Sequence, residues 1–193
     1  MSPASRLAAV VSWVGHPLVF VTACVGIVVA TQLAPAAAMP ILAVVFLSVI
    51  LPTGILLFLG VRSGRWQDAD VSVREERTRF YPIAIPLSAF GTLMTWLVGA
   101  PGYILRGGIV TLLLLVTAAV ANRWFKISLH TLFASYCTVI LFRVNAIYGL
   151  GSLILAALVF WGRLFLKRHT VAETLAGMLI GVAGGVATAW LSI

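Results

Sequence analysis

"PILAVVFLSVILPTGILLFLGV", residues 40–61, runs through 22 positions without a single charge. An α-helix rises about 1.5 Å per residue, so about 20 apolar residues cross the roughly 30 Å of hydrocarbon in a bilayer. In lipid the backbone must satisfy its own hydrogen bonds, and a helix does so within one segment. The run therefore reads as a transmembrane helix. It lacks the strict alternation of a barrel strand.

Six further runs of the same kind flank it, at about 8–31, 81–99, 104–122, 129–147, 149–166 and 171–191. The breaks between them are "APAAAMP" (34–40), the charged segment 62–79, "GAPGY" (99–103), "NRWFK" (122–126), "NAIYG" (145–149) and the stretch before residue 171. Pro52, Pro82 and Pro86 fall within or at the start of runs, where a helix in a bundle tolerates proline with a kink. No linker, repeat or low-complexity tract divides the chain. The expected fold is all-α: one membrane-embedded domain over 1–193, a polytopic transmembrane bundle of six to seven spans.

Composition agrees. The chain is 62% hydrophobic and 9% charged, against roughly a quarter charged in soluble domains, and its mean hydropathy is +1.11. The net charge of +8 does not point to nucleic acid, because the cations lie in short loops between spans. Cys24 and Cys137 sit inside apolar runs and read as small packing residues, not a disulfide or a metal pair. The first run continues to Leu33 with no small-residue cleavage site, and reads as a retained span rather than a signal peptide.

If all seven runs cross, Arg6, Arg62, Arg65, Arg74, Arg77, Arg79, Arg123, Lys126, Arg163, Lys167 and Arg168 share one face, and only Arg106 and Arg143 the other. The positive-inside rule assigns the basic face to the cytoplasm. The expected location is a bacterial inner (cytoplasmic) membrane. All five acidic residues and two of the three histidines, His130 and His169, fall on that face too.

Three clusters carry this polar chemistry. "DADVSVREERTRFYP" (68–82) is either a solvated loop with internal Arg–Glu pairs or a set of guanidiniums offered to a phosphate. "NRWFKISLHTL" (122–132) places Lys126, Ser128 and His130 within five residues at the start of a span. A lysine there can simply snorkel. A lysine, a hydroxyl and helix N-terminal amides also make an anion site, and a neighbouring histidine can protonate a leaving group. In "GRLFLKRHTVAETLAG" (162–177), His169 and Glu173 are four apart and share a helix face. A carboxylate on one imidazole nitrogen fixes the tautomer and leaves the other nitrogen to attack. Glu173 is the only acid outside 68–76, and a carboxylate entering a span needs a partner. Arg163, six residues before His169, can reach the same anion. His16 lies mid-run before Pro17 and reads as a buried polar contact rather than a catalyst. Gly177, Gly181 and Gly185 recur every four residues and mark a close helix contact, either within the bundle or at a homodimer seam.

Arg163-x5-His169-x3-Glu173 resembles the R-x5-H-x3-D signature of the type 2 phosphatidic acid phosphatases, membrane lipid phosphatases related to vanadium haloperoxidases. "KISLH" (126–130) resembles that family's P-S-G-H motif at Ser128 and His130 and departs from it at Ile127 and Leu129. "VREERTRFYP" (73–82) resembles the first motif, K-x6-R-P, loosely. "HPL" (16–18) and "WFKISLH" (124–130) are similar to a divergent bacterial branch. The resemblance implies that His169 is a nucleophile forming a phosphohistidine, that Glu173 orients it, and that His130 is the general acid. It implies a phosphate held by Arg163, Lys126 and Ser128 with help from Arg74, Arg77 or Arg79, and no metal or cofactor. The implied substrate is a lipid phosphate or polyprenyl (di)phosphate. The alternative is a weak or inactive relative that binds phospholipids or acts as a small transport protein. An isoprenoid transferase would need clustered aspartates for magnesium, which Asp68 and Asp70 do not supply.

Overall fold

Proline and glycine decide where the helices begin and bend. The computed structural model describes residues 2–190, and within them the chain forms eight helices and no strand. These are α1 (Pro3–Val14), α2 (Pro17–Gln32), α3 (Pro35–Arg62), α4 (Arg74–Leu97), α5 (Gly102–Ala121), α6 (Leu129–Val144), α7 (Ala146–Phe165) and α8 (Val171–Trp190). The first three each start on a proline, whose missing N–H costs nothing in the first turn and whose φ already suits a helix.

Two expectations need correction. The run 8–31 is not one straight span: it breaks at Gly15–His16 and bends by 53°, because Pro17 disfavours helical backbone at the residue before it. The charged segment 62–79 is not all loop, since α4 starts at Arg74 with Glu75 and Glu76 in its first turn, where acids complement the helix dipole. Of the six to seven spans expected, the lower number fits. Among the described residues five helices (α3, α4, α5, α7 and α8) have the length and composition of a span, six if α1 and α2 count as one. The 16 residues of α6 reach only about 24 Å.

The chain packs as two compact units, one joining residues 2–24 to 125–190 and the other comprising Val25–Trp124. In the first, α6 is the hub. It is buried almost throughout, from Leu129 to Thr138 without interruption, and packs most extensively on α8 and then on α7. The connection from α6 to α7 is the single residue Asn145, whose side-chain oxygen accepts from Ile147 N–H at 2.8 Å, so the two helices return antiparallel. Thr138 and Ser152 hydrogen-bond between them at 2.7 Å. α8 then runs parallel to α6. Along this contact Gly177 faces Ser128 and Thr131, Gly181 faces the backbone of Leu132, and Gly185 faces Tyr136 and Val139. The glycine row is thus filled from within the chain by α6. Removing side chains lets two backbones approach to packing distance, and that brings the N-terminal ends of α6 and α8 together. α1 lies along α7, with Gly15 against Val159 and Gly162 against Ala8.

The second unit contains α3, α4 and α5. α3 widens into a π-turn at Phe46–Ile50, just ahead of Pro52, which has no N–H for the carbonyl of Ser48 and would clash with it in a regular turn. Gly91 of α4 receives Val49 at this point, and Gly108 of α5 receives Thr92. A small core of Val29, Ala38, Ile41 and Ala100 closes one end. In the best 18-residue windows of α3 and α5 only 17% of residues are buried, so their apolar side chains face outward, as they do when lipid is the solvent. The protein is a membrane-embedded helical bundle.

Candidate functional site

The first turn of α8 holds its carboxylate by two devices at once. Thr170 precedes the helix, and its Oγ1 accepts from Glu173 N–H at 3.2 Å while Thr170 N–H donates to Glu173 Oε2 at 2.9 Å. This reciprocal pair is a capping box, which calls for a glutamate or glutamine at the third helical position. The same Oε2 lies 3.1 Å from His169 Nδ1. A glutamate is long enough to serve both cap and imidazole, which gives a local physical reason for Glu173 where the resembling signature has aspartate. The His169 side chain is fully buried and the Glu173 side chain 19% exposed.

Exchanging Glu173 separates the two duties. Glu173→Gln retains an oxygen for the cap and is expected to change stability by less than about 1 kcal/mol, whereas Glu173→Ala is expected to cost about that much. Thermal unfolding in detergent distinguishes them; a Gln variant as unstable as the Ala variant would show that the charge, not the cap, holds this turn.

The second element arrives beside the first. Ser128 caps α6 and its backbone N–H donates to the carbonyl of Glu173 at 3.2 Å, and Thr131 Oγ1 donates to the carbonyl of Thr174 at 3.0 Å. Lys126 Nζ donates to the carbonyl of Arg168 at 2.9 Å. Lys126, Ser128 and His130 are therefore tied to the segment that carries His169 and Glu173. Ser128 and His130 are 0% and 1% exposed. Ile127 and Leu129, the two departures from the resembling motif, are buried as well; they pack α6 rather than line an open loop.

Arg163 comes from the last turn of α7 and is fully buried. Its Nη1 donates to Ser12 Oγ of α1 at 2.6 Å. A buried guanidinium is costly to desolvate, so its place in the fold is set by the groups around it. Ser12 was not foreseen, and neither was the position of His16. At the break between α1 and α2, His16 Nδ1 accepts from Leu18 N–H at 3.2 Å and its ring meets that of His130 edge to face, with centroids 5.5 Å apart. His16 thus makes the polar contact expected of it, half-buried rather than buried, and is a neighbour of His130. The signal was Pro17, which marks a helix start and makes the preceding residue a capping position.

Arg74, Arg77 and Arg79 belong to the other unit. Arg74 and Asn122 exchange hydrogen bonds: Arg74 Nε donates to the Asn122 carbonyl at 2.8 Å, and Asn122 Nδ2 donates to the Arg74 carbonyl at 3.1 Å. Arg74 Nη2 also donates to the carbonyl of Arg123. Arg77 is fully buried and its Nε donates to the carbonyl of Val71 at 2.9 Å. Val71 has φ 46°, a conformation that strains a β-branched residue. Arg79 is exposed. Among the described residues, no three His, Cys, Asp or Glu side chains converge in the way a metal ion requires.

One unit thus holds two neighbouring helix N-termini, a buried arginine, a lysine, a serine and three histidines, His16 and His130 in ring contact and His169 against Glu173. Amide N–H groups at helix starts and guanidinium N–H groups favour an anion with several oxygens. The class is that of a membrane-embedded α-helical protein. No known protein family, curated protein or solved structure matches the chain.

Proposed function

We propose that this protein is a membrane phosphatase or phosphotransferase that acts on a lipid phosphate or polyprenyl (di)phosphate through a phosphohistidine. The observation that carries the reading is the contact of His169 Nδ1 with Glu173 beside the backbone bond that draws the His130 helix alongside. With Nδ1 engaged, Nε2 of His169 is the attacking nitrogen. It forms a bond to phosphorus as the bond from phosphorus to the lipid oxygen breaks, and His130 gives that oxygen its proton. Water then attacks phosphorus and gives a proton to His130, the bond from phosphorus to Nε2 breaks, and both histidines are restored with release of phosphate. Arg163, Lys126 and the α6 and α8 amides offset the charge on the phosphoryl oxygens, which is the larger part of the work in phosphoryl transfer.

The resemblance of 163–173 and 126–130 to the type 2 phosphatidic acid phosphatases supports the same chemistry. The cations in the short connections before α4, α6 and α8 support a site opening at the cytoplasmic face of a bacterial inner membrane. The test is phosphate release by purified protein from phosphatidic acid, phosphatidylglycerol phosphate and polyprenyl phosphates, with EDTA present and with vanadate as inhibitor. His130→Ala is expected to slow release by about 10²–10⁴-fold, the usual contribution of a general acid. Undiminished release from the His130 variant would remove it from the chemistry.

A further inference from the structure

A cavity of about 610 Å³ lies in the second unit, between the last turns of α3 and the start of α4, and none of its lining residues is acidic. Leu56 and Leu59 of α3 and Ile83 of α4 supply apolar walls, and Arg62, Arg65 and Arg79 stand around them. The volume is within the roughly 300–1,000 Å³ of small-molecule sites.

Its shape is held by local structure. α3 ends in a turn with Gly64 at φ +69°, where Arg65 N–H donates to the Gly60 carbonyl at 2.9 Å and Gly64 N–H to the Val61 carbonyl at 3.0 Å. This is the Schellman arrangement, which turns the chain sharply back on the helix end. Trp66 then lies on Gly60, where any Cβ would overlap the indole ring, and meets Phe80 edge to face at 6.0 Å. Trp66 is thus a fixed wall, buried to 4% exposure. Arg62, Arg65 and Arg79 are exposed, and among the described residues no side-chain hydrogen bond or ion pair engages them. Glu76, the acid one turn before Arg79, turns its carboxylate to Gln67 N–H at 3.0 and 3.2 Å.

We infer that this cavity binds one anionic membrane phospholipid, its phosphate among Arg62, Arg65 and Arg79 and an acyl chain along Leu56, Leu59 and Ile83. Charge chooses the headgroup, since three guanidiniums face a hollow with no acid of its own. Position chooses a lipid over a soluble phosphate, because the walls are the ends of two helices long and apolar enough to cross a bilayer. The site does not use the histidine cluster, and the inference stands apart from the phosphatase reading.

The probe is the full chain, delipidated in detergent and offered phosphatidylglycerol or phosphatidylcholine with matched acyl chains. Native mass spectrometry reads retention. Brominated forms of the two lipids read proximity through Trp66, its share of the fluorescence identified with Trp66→Phe. Phosphatidylglycerol is expected to be retained and to quench Trp66, and phosphatidylcholine to do neither. Combining Arg62→Gln, Arg65→Gln and Arg79→Gln is expected to lower phosphatidylglycerol retention roughly a hundredfold, each cation near an anionic headgroup being worth about fivefold. A control with the same loss of charge, Arg6→Gln with Arg123→Gln and Lys167→Gln, is expected to keep it. Equal retention of both lipids, equal loss in the control, or full displacement by glycerol 3-phosphate or inorganic phosphate would each overturn the inference. Quenching of Trp66 in the unaltered chain keeps the test decisive should the triple variant fail to fold.

Discussion

Replacing His169 with alanine is expected to reduce phosphate release by about 10⁴-fold or more, the scale on which loss of a nucleophile registers. The expectation rests on where the ring stands. Its Nδ1 is against Glu173, and the helix start beside it is capped independently by Thr170. The substitution removes the imidazole and spares the cap, so unfolding should shift by only about 1–2 kcal/mol. The two proposed histidines also predict different traces. With a radiolabelled phosphoester, the unaltered protein and a slow His130 variant should both carry acid-labile label on histidine, and the His169 variant none. Label that persists without His169, or turnover at the unaltered rate, would dismiss the phosphohistidine.

A comparably large effect, on stability, is expected far from any charge. Gly181→Leu is expected to cost about 3 kcal/mol or more, or to prevent folding, because even a Cβ at this position would overlap the backbone of Leu132. Backbone atoms cannot rotate out of the way, so the helices must part along the whole seam, and overpacking of that kind is among the most damaging substitutions. Gly151→Ala on α7 is the matched control. Nothing lies within 4 Å of a Cβ there, and the exchange should be neutral or stabilising by up to about 1 kcal/mol. Thermal unfolding in a fixed detergent compares the two. Similar midpoints for both would mean that α6 and α8 do not depend on the glycine row.

What the sequence made legible was whatever is written locally. Apolar length located every helix from α3 onward, since lipid demands unbroken hydrophobic runs. The His169–Glu173 pairing was legible in a spacing of four, but His169 precedes α8 and meets Glu173 through the turn at Thr170 rather than along a helix face. The remainder is hidden for identifiable reasons. The start of α4 at Arg74 carries no apolar periodicity, because its first turns are made of Arg and Glu, which are good helix formers without a hydrophobic face. The break at His16 lay inside a run that looked continuous, and only Pro17 marked it. α6 looked span-length because the apolar residues on either side of Asn145 read as one run. The bond between Arg163 and Ser12 joins residues 151 positions apart, and no local pattern announces such a pair. Nor does any spacing reveal that Arg62, Arg65 and Arg79 ring one hollow, which is a product of the sharp return at Gly64.

The glycine seam carries a mechanical implication. At Gly177 and Gly181 the atoms nearest α8 include the main chain of Ser128 and Leu132, so side-chain swings there do little to ease one helix along the other. Slippage is open only in whole turns of about 5.4 Å. The gauge between the His130 and His169 segments is therefore set when the chain folds, not when a ligand arrives. Should these imidazoles act on phosphorus, a substrate must conform to them, and any breadth of taste would have to come from the greasy tail it leaves behind in the bilayer.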